Sequence, residues 1–307
     1  MKIIIWGHKL HTHTSSYVHY GFYKAFSFMG HEVYWVDDND DVSPINFDDC
    51  LFLTEGQVDK KIPINPTSRY ILHNCDTVKY EGVKKKLNIQ YFHNSITAKD
   101  IPDDQHPTFI AKGDLTKIND YTFFDGGTLF QPWATDLLPH EIDLKNAHNE
   151  TENRECVWIG TYGGWGSIFQ NHLQIDPFFD ECRANNISIL RIDPWAAPVS
   201  PEENQKLINR AFLAPSIQGE WQVKHGYTPC RLMKNISYGH IGITNNSAAN
   251  YLFDGQLVFD ENIQALFYKV LEKKNDPNMI GEIKALMQEV KTKHTYINRA
   301  EMILSLI

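Results

Sequence analysis

Paired cysteines are the first thing missing. The five cysteines of the 307 residues, Cys50, Cys75, Cys156, Cys182 and Cys230, are odd in number, scattered, and form no Cys-x-x-Cys. Neither a disulfide framework nor a zinc site is expected, and a reducing cytoplasm fits. A basic excess is missing too. With 29 Lys and Arg against 38 Asp and Glu the formal charge is -9, which argues against a nucleic-acid partner and makes any anion site depend on a local cluster of cations. No apolar run approaches the ~20 residues needed to span a bilayer. The opening MKIIIWGHKL is too short for a signal core and reads as a first strand. There is no GxxxxGK[ST], which excludes a P-loop, and the first βαβ start is not GxGxxG, which disfavours a nicotinamide or flavin Rossmann site. No repeat of 20–50 residues is present either.

What is there is a chain that is 42% hydrophobic and long enough for two domains. Short β-rich runs alternate with helical or loop segments, the pattern of a doubly wound parallel sheet. In the first half the expected strands are Lys2 to Trp6, Glu32 to Val36, Cys50 to Leu53, Arg69 to Leu72, Ile89 to Phe92, Thr108 to Ala111 and Thr128 to Phe130. A helix over Tyr17 to Met29 completes the first βαβ unit. The charged, Asn-rich stretch after Leu138 reads as a linker, which puts a domain boundary near 150. The alternation then restarts, with strands at Cys156 to Ile159, Ile187 to Arg191, Ala211 to Ala214, His240 to Thr244 and Gln256 to Phe259. Expected domains are therefore 1–150, 151–295 and a terminal helix 296–307 carrying an apolar stripe. In two α/β domains facing a cleft, ligands are expected at the carboxyl ends of the strands, where helix N-termini point.

That rule selects the candidate residues. In GEWQVKHGYTPCRLMKNISYGHIGITNN, residues 219–246, Lys224 and Arg231 flank the turn-rich segment containing Tyr227, and Arg231 falls in the first turn of a helix. Cations beside free N–H groups suit a diphosphate. The following strand delivers Asn245 and Asn246 to its end. WIGTYGGWG, residues 158–166, runs a strand into a glycine-rich turn, where Gly160 permits close backbone approach and Thr161 adds a hydroxyl. Ser216 ends another strand. In the first half Glu55 and His73 follow strands and are candidate bases, and His13 joins them from the histidine-rich loop after the first strand. The spacing of His8, His11, His13 and His19 matches no metal motif. Asp38-Asn39-Asp40 has the Asp-x-Asp form of metal-binding transferases, but directly after the second strand it reads as a solvated acidic turn.

TPCRLMKNISYGHIGITNN resembles the donor-binding strand-loop-helix-strand of GT-B glycosyltransferases. It is most similar to the CgeB-like members, whose ending is similar to KHTYINRAEMILSLI here. The Glu-x7-Glu of many retaining GT-B enzymes is absent, because Met233 stands two after Arg231. The resemblance implies two Rossmann-like domains facing a cleft, with the terminal helix crossing back to the first. It implies a nucleoside-diphosphate sugar as donor, a carbohydrate acceptor, no metal and no other cofactor. A nucleotide-sugar epimerase and a degenerate sugar-nucleotide binder are the alternatives.

Overall fold

A computed structural model describes residues 1–9, 15–75, 78–91, 115–148, 154–163, 170–194 and 196–307. The chain divides into two units, Met1–Pro132 with Tyr296–Ile307, and Trp133–Thr295.

The first unit is built on an eight-stranded sheet in the order β2-β1-β3-β4-β5-β8-β7-β6. Its strands are β1 (Lys2–Trp6), β2 (Glu32–Val36), β3 (Leu51–Glu55), β4 (Arg69–His73), β5 (Lys86–Gln90), β6 (Thr116–Asn119), β7 (Thr122–Phe124) and β8 (Thr128–Phe130). Six are parallel, and β6 and β7 form an antiparallel edge. The continuous apolar runs of β1 and β3 are buried along their length, as strands covered on both faces must be. Helix α1 (Ser16–Phe28) packs on β1 through Tyr17, Val18, Phe22, Ala25 and Phe26. The last helix of the chain, α9 (Tyr296–Ser305), lies against α1, with the Tyr296 ring 4.7 Å from that of Phe22. Its Arg299 is fully buried and donates from Nε to Pro132 O at 2.8 Å. The expected strand Thr108 to Ala111 lies outside the described residues.

In the second unit, β9 (Glu155–Ile159) pairs in parallel with β10 (Ser188–Ile192), and β11 (Ile243–Thr244) with β12 (Val258–Phe259). Residues 212–216 join the two pairs. Val157 N donates to Leu213 O at 2.9 Å and Ser216 N to Ile243 O at 2.9 Å. The run Ala211 to Ala214 is thus not a full strand: it holds one isolated bridge, at Leu213, and a second lies at Ser216, beyond Pro215, which has no N–H to continue the ladder. Helices α2 (His172–Ala184), α3 (Pro201–Asn209), α4 (Glu220–Lys224), α5 (Cys230–Ser237), α6 (Ser247–Leu252), α7 (Ile263–Lys274) and α8 (Met279–Lys293) complete the unit.

The break after Pro132 lies upstream of the expected 150. Residues 135–142 are tied into the second unit by hydrogen bonds. Thr135 Oγ1 meets Ser237 Oγ at 2.7 Å, Tyr238 Oη donates to Asp136 at 2.7 Å, and Lys291 Nζ donates to Ile142 O at 3.1 Å.

His240 carries a pH signature. Its Nε2 lies 2.7 Å from Ile208 O and its ring 4.5 Å from that of His148. Burial, with the charges of His148 and Lys274, lowers its pKa to about 3. A histidine held neutral contributes stability that is complete above its unfolded pKa and is lost as pH falls from about 6.5. Urea unfolding at pH 7 and pH 5 checks this. The stability advantage of wild type over His240→Gln is expected to shrink by ~2 kcal/mol across that interval, and a constant difference contradicts it.

Candidate functional site

The second unit gathers its polar residues at the carboxyl ends of β9, the 212–217 segment and β11. Arg231 stands in the first turn of α5, whose N-cap residue, Pro229, offers no capping side chain. Its Nε donates to Ile159 O at 2.8 Å and its Nη1 to Ile217 O at 3.1 Å. The guanidinium also covers the Trp158 ring at 4.2 Å. Nη2 lies over Gly160, where a Cβ would come within 1.8 Å of it, so only glycine admits this arginine. Among the described residues no carboxylate makes an ion pair with Arg231 and Nη2 makes no hydrogen bond. Burial lowers its pKa to about 10, which leaves it a cation at neutral pH.

Side-chain amides lace the same strand ends together. Asn171 Nδ2 donates to Thr161 O at 2.6 Å, and its Oδ1 accepts from Gly219 N at 2.8 Å. Asn245 pairs with both backbone groups of Gln218, accepting from N at 3.0 Å and donating to O at 2.9 Å, as a neighbouring strand would. Asn246 Nδ2 donates to Gln218 Oε1 at 2.9 Å and to Tyr227 O at 2.8 Å, while its Oδ1 caps α6. Tyr227 Oη accepts from Trp133 Nε1 at 2.7 Å, and burial pushes the phenol pKa well up. Ser216 Oγ is buried without a partner. Gly160, Thr161, Ser216, Tyr227, Arg231, Asn245 and Asn246 are thus brought to one end of this unit. Lys224 stands exposed in the last turn of α4. Met233, at the position of the missing glutamate, is fully buried in the core.

Asn171, Gln218 and Trp158 are functional candidates that the sequence does not reveal. Asn171 precedes a helix and reads as an ordinary cap, and its partners lie 10 and 48 residues away.

In the first unit, β1, β3, β4 and β5 end side by side. Glu55 and His73 are register partners at the ends of β3 and β4. Glu55 is 2% exposed, and its Oε2 lies 3.4 Å from His8 Nε2. Burial, reinforced by the charge of Asp59, raises the Glu55 pKa to about 8. Burial also lowers His8, takes His19 to about 4 and takes His73 to about 3. His19 reaches His8 O through Nδ1 at 3.2 Å, over Gly7, where a Cβ would fall 2.2 Å from the imidazole. Asn74 Nδ2 lies 3.1 Å from His73 Nε2, and Gln90 Nε2 donates to Asn74 Oδ1 at 3.2 Å. Of the two expected bases, Glu55 has the basicity for proton transfer near neutral pH, and His73 is a weakly basic neighbour. His13 lies outside the described residues.

The acidic turn is occupied by its own chain. Asp38 accepts from Trp6 Nε1 at 2.8 Å and from the amides of Lys60 and Lys61, and Asp40 pairs with Lys9 at 2.6 Å. Among the described residues no group of three or more His, Cys, Asp or Glu is placed to hold a metal, and no helix is long and apolar enough to cross a membrane.

Two α/β units, the first a doubly wound parallel sheet closed by the last helix of the chain, make the fold that of the GT-B glycosyltransferases. In particular, the chain is similar to an alpha-glucosyltransferase in complex with UDP, with a TM-score of 0.59 at 11% identity over 100% of this chain and 99% of that one. Two further structures agree. The alpha-glucosyltransferase with UDP-glucose and DNA containing an abasic site matches at 0.56 and 11%, over 99% and 98%. The complex with UDP and a 13-mer DNA containing a HMU base matches at 0.59 and 12%, over 100% and 99%. No protein-family model and no curated protein matches the sequence. At these identities the likeness is one of fold.

Proposed function

We propose that this protein is a glycosyltransferase that moves a sugar from a nucleoside-diphosphate sugar to a hydroxyl of a carbohydrate acceptor, in glycan biosynthesis. The observation that carries the reading is Arg231, a cation held at the strand ends by two backbone carbonyls and the Trp158 ring, with no hydrogen bond from Nη2 to any described residue. An oriented guanidinium next to uncapped helix N–H groups matches the diphosphate of a sugar nucleotide. In the reaction, Glu55 removes the proton of the acceptor hydroxyl and the acceptor oxygen bonds to the anomeric carbon. The bond from that carbon to the diphosphate oxygen breaks, and the departing nucleoside diphosphate keeps the electron pair. Arg231 and the N-terminus of α5 meet its charge without a metal. Gly160, Thr161, Ser216, Tyr227, Asn245, Asn246 and the exposed Lys224 complete the donor side, and His73 and His13 stand with Glu55 on the acceptor side. The likeness of the Arg231 segment to CgeB-like enzymes supports the same donor chemistry. The formal charge of -9 supports carbohydrate over DNA as the acceptor.

Thermal unfolding with UDP, GDP, TDP, ADP and CMP tests the donor half. UDP leads the panel because the solved alpha-glucosyltransferase structures hold it. A ligand at a hundredfold its Kd stabilises the native state by about 2.7 kcal/mol, a rise of several degrees, with EDTA present. Absence of a shift with every nucleotide sinks the donor site. Sugar transfer to DNA bearing a HMU base would replace the carbohydrate acceptor while leaving the donor half intact.

A further inference from the structure

Asn171 occupies the N-cap position of α2 but does not cap it. Its backbone is helical, at φ -61° and ψ -30°, and its side chain makes no bond to the first turn of its own helix. Asparagine is favoured at this position because its oxygen accepts from those amides, so a different use of the side chain calls for a reason. Both of its amide atoms instead bridge two other segments, Nδ2 to Thr161 O at 2.6 Å and Oδ1 from Gly219 N at 2.8 Å, with only 3% of the residue exposed.

Arg231 bridges the same two segments two residues earlier in each, at Ile159 O and Ile217 O. The glycine-rich turn and the 217–219 strand end are therefore joined by two rungs, one charged and one neutral. The neutral rung keeps Thr161 in place while the charged one holds Arg231. Tyr162, next along, is held as well: His172 N donates to Tyr162 O at 3.0 Å and Tyr162 Oη donates to Asp176 at 2.5 Å.

We infer that Asn171 is a positioning residue of the donor site, which holds the glycine-rich turn at the spacing from Arg231 that a nucleoside diphosphate requires. The inference rests on the donor reading above. It places the effect of Asn171 on the diphosphate and not on the nucleoside.

Asn171→Ser is neutral, is a residue suited to an N-cap position and is too short to span both partners. Asn171→Asp keeps an acceptor for Gly219 N but has no donor for Thr161 O and adds a negative charge near Arg231, so the neutral serine variant decides. UDP is titrated calorimetrically and uridine by displacement, and the melting temperature of each variant is recorded. Both variants are expected to melt close to wild type, to bind UDP about tenfold more weakly, and to bind uridine within twofold of wild type. Equal losses for UDP and uridine would mark a general structural role and overturn the inference, as would unchanged UDP binding. Wild type that binds none of UDP, GDP, TDP, ADP and CMP overturns the donor reading and this inference with it. Wild type that binds UDP beside variants that bind it equally well overturns the inference alone.

Discussion

Glu55→Gln is expected to lower sugar transfer by about 10²–10⁴-fold, the range for loss of a positioned general base, with UDP affinity unchanged. The argument begins with burial. At 2% exposed, with Asp59 adding its charge, the Glu55 carboxyl holds its proton up to about pH 8, so a growing fraction is available as base as pH rises toward that value. In wild type, kcat/KM should climb with pH and level off above about 8, and the variant should lose that limb. Stability moves in the opposite sense. A carboxyl whose folded pKa is raised contributes stability present below its unfolded pKa, about 4.5, and lost as pH rises through about 8. The amide, neutral at every pH, should therefore make the variant the more stable of the two above pH 8. Steady-state rates across pH 6–9 with calorimetric UDP binding check both claims. Full transfer activity in the variant would move the base elsewhere.

Arg231→Met should weaken UDP binding by about 2 kcal/mol, near 30-fold, the scale of one charge-assisted contact. Methionine keeps much of the bulk over Trp158 and removes the charge. It leaves Ile159 O and Ile217 O without their donors but also removes a half-buried cation that had no counter-ion, and these act on stability in opposite directions. The melting temperature should accordingly move less than the UDP response. Arg231→Lys retains the charge but cannot span both carbonyls, and should fall between the two. Calorimetry on the three proteins decides the matter. Equal UDP affinity in wild type and Arg231→Met would mean that the diphosphate binds elsewhere.

The parts of this fold that are legible in the sequence are those where burial is two-sided. β1, β2, β3, β4, β8 and β9 announce themselves as short apolar runs, and the polar residue that follows a parallel strand is placed at its carboxyl end by topology alone. That is how Glu55, His73, Gly160 and Thr161 are placed at strand ends. The β6–β7 hairpin escapes because its strands are three and four residues long, with β6 mostly exposed. The boundary at Pro132 escapes because polarity reads as linker, whereas Thr135 and Asp136 are polar residues that bond to Ser237 and Tyr238. The amide lacing escapes for a different reason. The side chain of Asn171 bonds to the backbone of Thr161 and Gly219, and a backbone partner leaves no mark on residue identity. Lys224 and Arg231 look like a pair in the sequence, whereas the structure exposes Lys224 in the last turn of α4 and lodges Arg231 among the strand ends.

Around Arg231, the side chains at 171, 245 and 246 that lace the strand ends together are amides. An aspartate at 171, 245 or 246 could have accepted some of the same hydrogen bonds, but it would have set a negative charge against Arg231 and offset much of its attraction for an anion. Amides do not titrate, so the scaffold around the cation keeps the same electrical state from mildly acid to mildly alkaline conditions. The two halves of the proposed reaction are thereby separated in pH: donor capture rests on an arginine that stays charged through neutrality, and the carboxyl asked to move a proton has its midpoint near pH 8.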